Sequence, residues 1–476
     1  MFAGARRHDT SEARGFSPMQ HAPTPATAGP TVPDDVPSDA LDRARRKAYW
    51  RLMPLLFFCY VIAYVDRTNV SVAALTMSRD LPWFNSKVLG FGAGVFFLGY
   101  FLLEIPGSLI VERWSARKWI SRIMISWGIC AALTALVKSP AQFYGARFLL
   151  GLAEAGFFPG VIIFLTHWFP ARDRTRAVSC FIVATPFAQI VSPKISNALL
   201  KIGTDETVNG VVVHHPEVLG LEGWQWVYIF WGIPAVVLGV LVLLALPDRP
   251  KHAKWLLADE RDALETEIEA DRAKHAGKRR MTLVEALSHP KVLLLALAYF
   301  CAVTTTYGIE FFLPRILQQW YALKIDAITW LVILPPALAL CGQLFVGWNS
   351  DRTGDRRLHA VIPIVVALLM IAITPFTRGH LPLTIACFMI VFTGIKSYQP
   401  AFWALPSMFL TSTAAAGSIG LINSVGNLGG FFGPSIIGFV HDKTGSFTGG
   451  LYFLCGSMAV SATILFFLGL GHREKE

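Results

Sequence analysis

Charge is the first thing this chain lacks. Asp, Glu, Lys and Arg make up 16% of its 476 residues, where soluble globular domains carry about 25%. With 54% hydrophobic residues and a mean hydropathy of +0.49, a wholly water-facing surface is excluded. Cysteine is sparse and scattered: Cys59, Cys130, Cys180, Cys301, Cys341, Cys387 and Cys455 each stand alone in an apolar segment. That excludes a disulfide frame and a cysteine metal cluster, leaving small core residues as the reading. Sustained period-2 polarity is missing too, which argues against an outer-membrane barrel. No HExxH, nucleophile elbow or Walker sequence occurs, so nothing supports catalysis or ATP-driven work, and no catalytic residue, cofactor or metal is expected.

What the chain does have is length of hydrophobic run. About 20 apolar residues span a hydrocarbon core as a helix. Such runs fall at 50–77, 88–111, 118–138, 141–168, 178–200, 224–246, 290–313, 325–348, 359–376, 381–403, 413–440 and 449–470. The fold class expected is all-α integral membrane, with 12 transmembrane helices in two six-helix bundles. The boundaries read as a disordered N-terminal tail over 1–47, a first bundle over 48–247, a linker over 248–288, a second bundle over 289–471 and a short tail over 472–476. The first forty residues are rich in Pro, Ala and Thr without an apolar core, unlike a cleaved signal peptide. In the linker, Trp255, Leu256, Leu257, Leu264 and Ile268 fit one face of a surface amphipathic helix.

The net charge of +10 is not spread in the manner of a nucleic-acid surface. Cations gather before the first span (Arg43, Arg45, Arg46, Lys47, Arg51), after the second and fourth, in the linker, and after the eighth. The intervening loops are poorer in them. By the positive-inside rule both termini and the linker face the cytoplasm.

The two halves echo each other. Glu112-Arg113 with Arg117 follows the second span, and Asp351-Arg352 with Arg356 follows the eighth. An acid–Arg pair at a helix end, with a further Arg on the turn, makes a charged latch between neighbouring helices. Its repetition is the trace of parallel repeats. Ordinary loop cations are the alternative, but they do not account for the matched spacing. The glycines 426, 429, 430 and 433 of span eleven lie inside an apolar run with no preceding strand, a pattern for close helix packing and not for a phosphate loop.

Charges inside spans are the sharpest signal, because placing one at a bilayer centre costs about 2.5–3.5 kcal/mol. Asp66-Arg67 with Asn69 lies in the first span, Arg147 and Glu154 in the fourth. Seven residues are two helical turns, so Arg147 and Glu154 share a face. A buried carboxylate beside a guanidinium suits proton exchange, and equally suits a closed ion-pair network between spans one and four.

Here the residues resemble a family. The loop latches are similar to the signature of the major facilitator superfamily. The segments Tyr64-Val-Asp66-Arg67-Thr-Asn69, Phe97-Leu-Gly-Tyr100…Glu104-Ile-Pro106, Arg147…Gly151-Leu-Ala-Glu154-Ala-Gly156…Pro159-Gly160, Phe402-Trp403-Ala-Leu-Pro406 and Gly420-Leu-Ile-Asn423 resemble its anion:cation symporter branch. That branch includes permeases for tartrate, phthalate, hydroxyphenylacetate and sugar acids. The resemblance implies a proton-coupled importer of a small organic carboxylate in a bacterial cytoplasmic membrane, acting as a monomer on an anion and a proton, with no nucleic acid partner. It implies coupling protons at Asp66 and Glu154, substrate or gating cations at Arg67 and Arg147, and cavity-lining roles for Trp403 and Asn423. An anion exchanger and a non-transporting nutrient receptor on the same scaffold are the alternatives.

The chain departs from that pattern at Lys194, Lys396 and Glu310. Cations pointing into the cavity favour a substrate with more than one carboxylate, so Lys194 and Lys396 are candidate substrate residues. Either could instead snorkel to the interface or pair with Glu310.

Overall fold

The computed structural model describes residues 38–208, 211–275, 289–409 and 412–469. A segment in hydrocarbon has to satisfy every backbone N–H and C=O internally, and an apolar helix does so. The chain accordingly runs as α1 (Ser38–Asp80), α2 (Ser86–Arg113), α3 (Ala116–Leu133), α4 (Pro140–Glu154), α5 (Phe157–Trp168), α6 (Ala171–Ile182) and α7 (Ala184–Leu200). After a short antiparallel pair, β1 (Asp205–Val208) and β2 (Val211–His214), come α8 (Gly223–Ala245) and α9 (Ala258–His275). The second half holds α10 (Pro290–Tyr321), α11 (Ile325–Leu331), α12 (Leu334–Thr353), α13 (Arg356–Ile373), α14 (Leu381–Ser397), α15 (Gln399–Phe409), α16 (Ser412–Asn427), α17 (Gly429–Thr444) and α18 (Thr448–Phe467).

Among the described residues, 11 helical stretches are long and apolar enough to cross a membrane. Successive α16 and α17, interrupted at Leu428, supply the twelfth crossing. The starts are fixed locally: Asn85, Ser115, Ser139 and Asp355 side chains accept the first free N–H groups of α2, α3, α4 and α13, the usual role of an N-cap. Gly354 and Gly445 end α12 and α17 in the left-handed conformation.

An even number of crossings puts Ser38 and Phe467 on one face, here called the terminal face; the opposite one is the far face. Within the first half α3 pairs with α8, α2 with α4 and α1 with α7; within the second, α12 with α14 and α10 with α17 and α18. The halves meet through α2 on α17, α1 on α10, and α7 on α11 and α12. The closest approach is toward the far face, where a Cβ on Gly90 would stand 2.2 Å from the Pro434 carbonyl oxygen and one on Gly438 2.3 Å from that of Ser86. Nearby, Asn197 bonds Asp326 across the junction and Lys201 Nζ lies 3.1 Å from the same carboxylate.

Two expectations shift. Helix α1 begins at Ser38, so residues 38–47 are not tail; residues 1–37 lie outside the described residues. The cause is charge pairing. Lys47 Nζ is 2.7 Å from Glu260, Arg45 Nε 2.9 Å from Asp173, and Arg45 also reaches Glu267 at 3.4 Å. Those acids come from α9 and α6, so α9 docks on the first half. Its Leu264 and Ile268 are buried, and Trp255 stacks on Trp168 at 5.4 Å. In the first latch segment the Arg117 guanidinium is 3.9 Å from Asp248, whose carboxylate accepts the Arg117 N–H at 3.0 Å and the Ser115 hydroxyl. In the second copy Arg356 donates to Ser350 Oγ at 3.0 Å and Arg352 stands over Trp348 at 5.4 Å. The side chains of Glu112, Arg113 and Asp351 lie outside the described residues. Finally, Cys341 is exposed rather than in the core.

Candidate functional site

Span four breaks immediately after its acid. Glu154 is the last residue of α4, and Gly156, at φ +83°, precedes α5. Only a residue without a Cβ adopts that conformation freely, and here a Cβ would also approach Gly107 to 3.2 Å. The break holds Glu154 opposite the middle of α1, where it forms an ion pair with Arg67. The side chains are 1% and 11% exposed respectively, so water screens this pair little. Arg67 also donates to the Tyr307 hydroxyl at 3.1 Å and rests over the Phe96 and Tyr100 rings at 5.3 and 5.2 Å. Tyr307 belongs to α10, so the guanidinium touches both halves.

Asp66 and Arg147 sit behind that pair. The Trp127 indole N–H donates to Asp66 at 2.7 Å. Arg147, fully buried, donates to the backbone carbonyls of Gly92, Asp66 and Arg67 at 3.4, 3.4 and 3.3 Å. Arg147 and Glu154 both turn toward α1. Their partners differ, because Arg147 ties α4 to the main chain of α1 and α2 while Glu154 takes Arg67.

A second charged group closes the junction. Glu310 accepts from the Tyr64 hydroxyl at 2.9 Å and lies 2.7 Å from Lys396 Nζ. The Gln189 amide in turn donates to the Tyr64 oxygen at 3.4 Å. Glu310, Gln189, Asn69 and Ser192 line a cleft between the halves. Lys194 is not part of this group: its ammonium sits 3.6 Å from the centre of the Trp330 ring, a cation–π contact at the far-face junction.

On the other side of Arg67, Asn423 donates to Glu104 at 2.8 Å, joining α16 to α2. Glu104 lies within electrostatic range of Arg67. Trp403 packs edge-on against Tyr299 at 4.9 Å. The structure thus brings Asp66, Arg67, Arg147 and Glu154 together, adds Lys396 through Glu310 and Tyr64, and places Asn423 against Glu104 of the first half and Trp403 against Tyr299 of its own half. Sequence reasoning missed Trp127, Tyr307, Gln189 and Glu104. Glu104 was legible by the rule that found Asp66, an acid inside a span; the others are uncharged and carry no such signal. Among the described residues no three His, Cys, Asp or Glu are grouped so as to hold a metal.

Two helical halves meeting at a buried ionic network define a polytopic membrane transporter rather than an enzyme. The chain belongs to the Major Facilitator Superfamily, which it matches over residues 56–434. It is 41% identical over 427 residues to an Agrobacterium vitis protein named "Putative tartrate transporter", covering 90% of this chain and 95% of that one. It is 36% identical to the Acinetobacter baumannii "Quinolone resistance transporter", covering 86% and 91%. Among solved structures, the xylose transporter XylE from E. coli in a partially occluded inward open conformation aligns with a TM-score of 0.68 at 14% identity, covering 90% of this chain and 100% of that one. That likeness concerns the fold.

Proposed function

We propose that the chain is a proton-coupled symporter importing a small organic carboxylate across a bacterial cytoplasmic membrane by alternating access. The observation that carries the reading is the Arg67–Glu154 ion pair at the contact between halves. A guanidinium fork suits a carboxylate. When a substrate carboxylate takes Arg67, Glu154 is left as a buried charge without a partner, an expensive state that a proton relieves. Anion and proton therefore bind together. Asp66, held by Trp127, offers a second proton site. Arg147 keeps α1 in place for both, so direct charge recognition falls to Arg67. Trp403 and Asn423 would present a ring face and an amide to the carbon skeleton and hydroxyls.

The cation-rich terminal face is read as cytoplasmic, which makes the far-face seal periplasmic and the present conformer closed to the periplasm. The name of the Agrobacterium relative supports a tartrate-like acid. An exchanger needs no titrating acid, and Glu154 pairing directly with Arg67 weighs against one.

The test is uptake into proteoliposomes of the purified chain under an imposed pH gradient, acidic outside, with radiolabelled tartrate and a sugar acid. The expected result is accumulation of one of these above equilibrium, collapsed by a protonophore and indifferent to an added quinolone. Uptake of neither acid, or accumulation that a protonophore leaves intact, would refute the reading.

A further inference from the structure

The ion pair of Lys396 with Glu310 is not needed to hold the two halves. The glycine crossing of α2 and α17 and the Asp326 contacts already do that. Both charges are removed from water, with side chains 17% and 3% exposed, and an apolar pair of similar volume would generally be no less stable there. An ammonium has three donors. Among the described residues Glu310 is the only carboxylate within ion-pair distance of Lys396. Glu310 divides its oxygens, Oε1 toward Lys396 of the second half and Oε2 toward Tyr64 of the first, and it lines the cleft.

We propose that Lys396 is the seat of a second substrate carboxylate and that Glu310 occupies that seat while the protein is empty. This rests on the organic-anion reading above. The spacing fits. Tyr307, which touches Arg67, and Glu310, which touches Lys396, are three residues apart on α10, about 4.5 Å of helical rise. Arg67 and Tyr64 are offset likewise on α1. The contacts of Arg67 and Lys396 thus fall on successive turns of α10, an arrangement that a short dicarboxylate would bridge with one carboxylate on Arg67 and the other on Lys396. Displaced from Lys396, Glu310 keeps its bond from Tyr64 and turns toward the cleft. Specificity for a dianion then comes from exchanging an internal carboxylate for the substrate's own, and a monoanion cannot drive that exchange.

Calorimetric binding to the purified protein tests this with tartrate and threonate, which differ in that one carboxylate is replaced by a hydroxymethyl group. Lys396→Met should weaken tartrate by roughly tenfold or more, the scale of a lost charged contact, and leave threonate nearly unchanged. Glu310→Gln should tighten tartrate several-fold, since the seat is vacated while the amide still meets Tyr64. The double variant Lys396→Met/Glu310→Gln, with no charge left unpaired, should repeat the first pattern and so separates lost binding from lost folding. Parallel weakening of both acids by Lys396→Met, or weaker tartrate binding in Glu310→Gln, would overturn the assignment while leaving the organic-anion reading standing. Failure of the unmodified protein to bind either acid would overturn both.

Discussion

Replacing Gly90 by alanine should push the transporter out of the conformer described here. The added methyl would lie 2.2 Å from the Pro434 carbonyl oxygen, where ordinary contact begins at 3.4 Å, so α2 and α17 have to part by about 1.2 Å. The obstructing atom is backbone and cannot rotate away. Forcing extra volume into a packed contact costs about 1–3 kcal/mol. The crossing joins the two halves, so the strain is relieved by opening the far face rather than by unfolding. A shift of that size changes the ratio of two conformers by roughly 5–150-fold. Gly145→Ala is the control, because nothing lies within 4 Å of its Cβ position and any gain in helix propensity acts alone. Spin labels at Lys138 and Arg378, on far-face loops of the two halves, would report the distance in a cysteine-replaced background. Gly90→Ala should lengthen it and Gly145→Ala should not. An unchanged distance distribution in a folded Gly90→Ala protein would refute the argument.

Two further outcomes follow from the site and its supports. Arg147→Met should lower thermal stability, because three buried helix carbonyls, which keep their intrahelical donors, each lose the bond from the guanidinium at about 0.5–1.5 kcal/mol apiece; a melting temperature within a degree of the parent would exclude the proposed tying role. Glu260 anchors α9: burial favours its neutral form, but Lys47, the Leu257 N–H and Arg43 outweigh that and hold the carboxyl below its usual 4.5. A lowered folded value means the stabilisation is present above pH 4.5 and is lost as pH falls through the folded value. Glu260→Gln should therefore loosen α9, seen as faster proteolysis of the linker at neutral pH, and flatten its dependence on acid; equal protection of parent and variant at pH 7 would contradict the anchoring.

Much of this architecture is legible in the sequence because a bilayer enforces it. Run length and alternating loop charge suffice for twelve crossings and two halves, and α10, from Pro290, and α18 fall where the hydropathy places them. The charges in spans one and four are visible for the same reason, their cost in hydrocarbon. Pairing is not legible. Seven-residue spacing puts Arg147 and Glu154 on one face, yet nothing local says that Arg147 meets carbonyls and Glu154 meets Arg67, since those partners come from α1 and α2. The Asp248–Arg117 contact and the docking of α9 were hidden likewise, because each joins residues more than a hundred positions apart. Lys194 and Lys396 look alike in sequence. Only the packing of α7 on α11 and of α10 on α14 sends one to Trp330 and the other to Glu310.

The most direct test of the account is proton movement that accompanies the substrate. Proteoliposomes carrying an internal pH dye are given an inward tartrate gradient with no pH gradient imposed. The unmodified protein should acidify the lumen as tartrate enters, while Glu154→Gln should exchange labelled for unlabelled tartrate without moving protons. Tartrate entry with no acidification by the unmodified protein, or acidification by Glu154→Gln at the parent's rate, would contradict coupling through the Arg67–Glu154 pair.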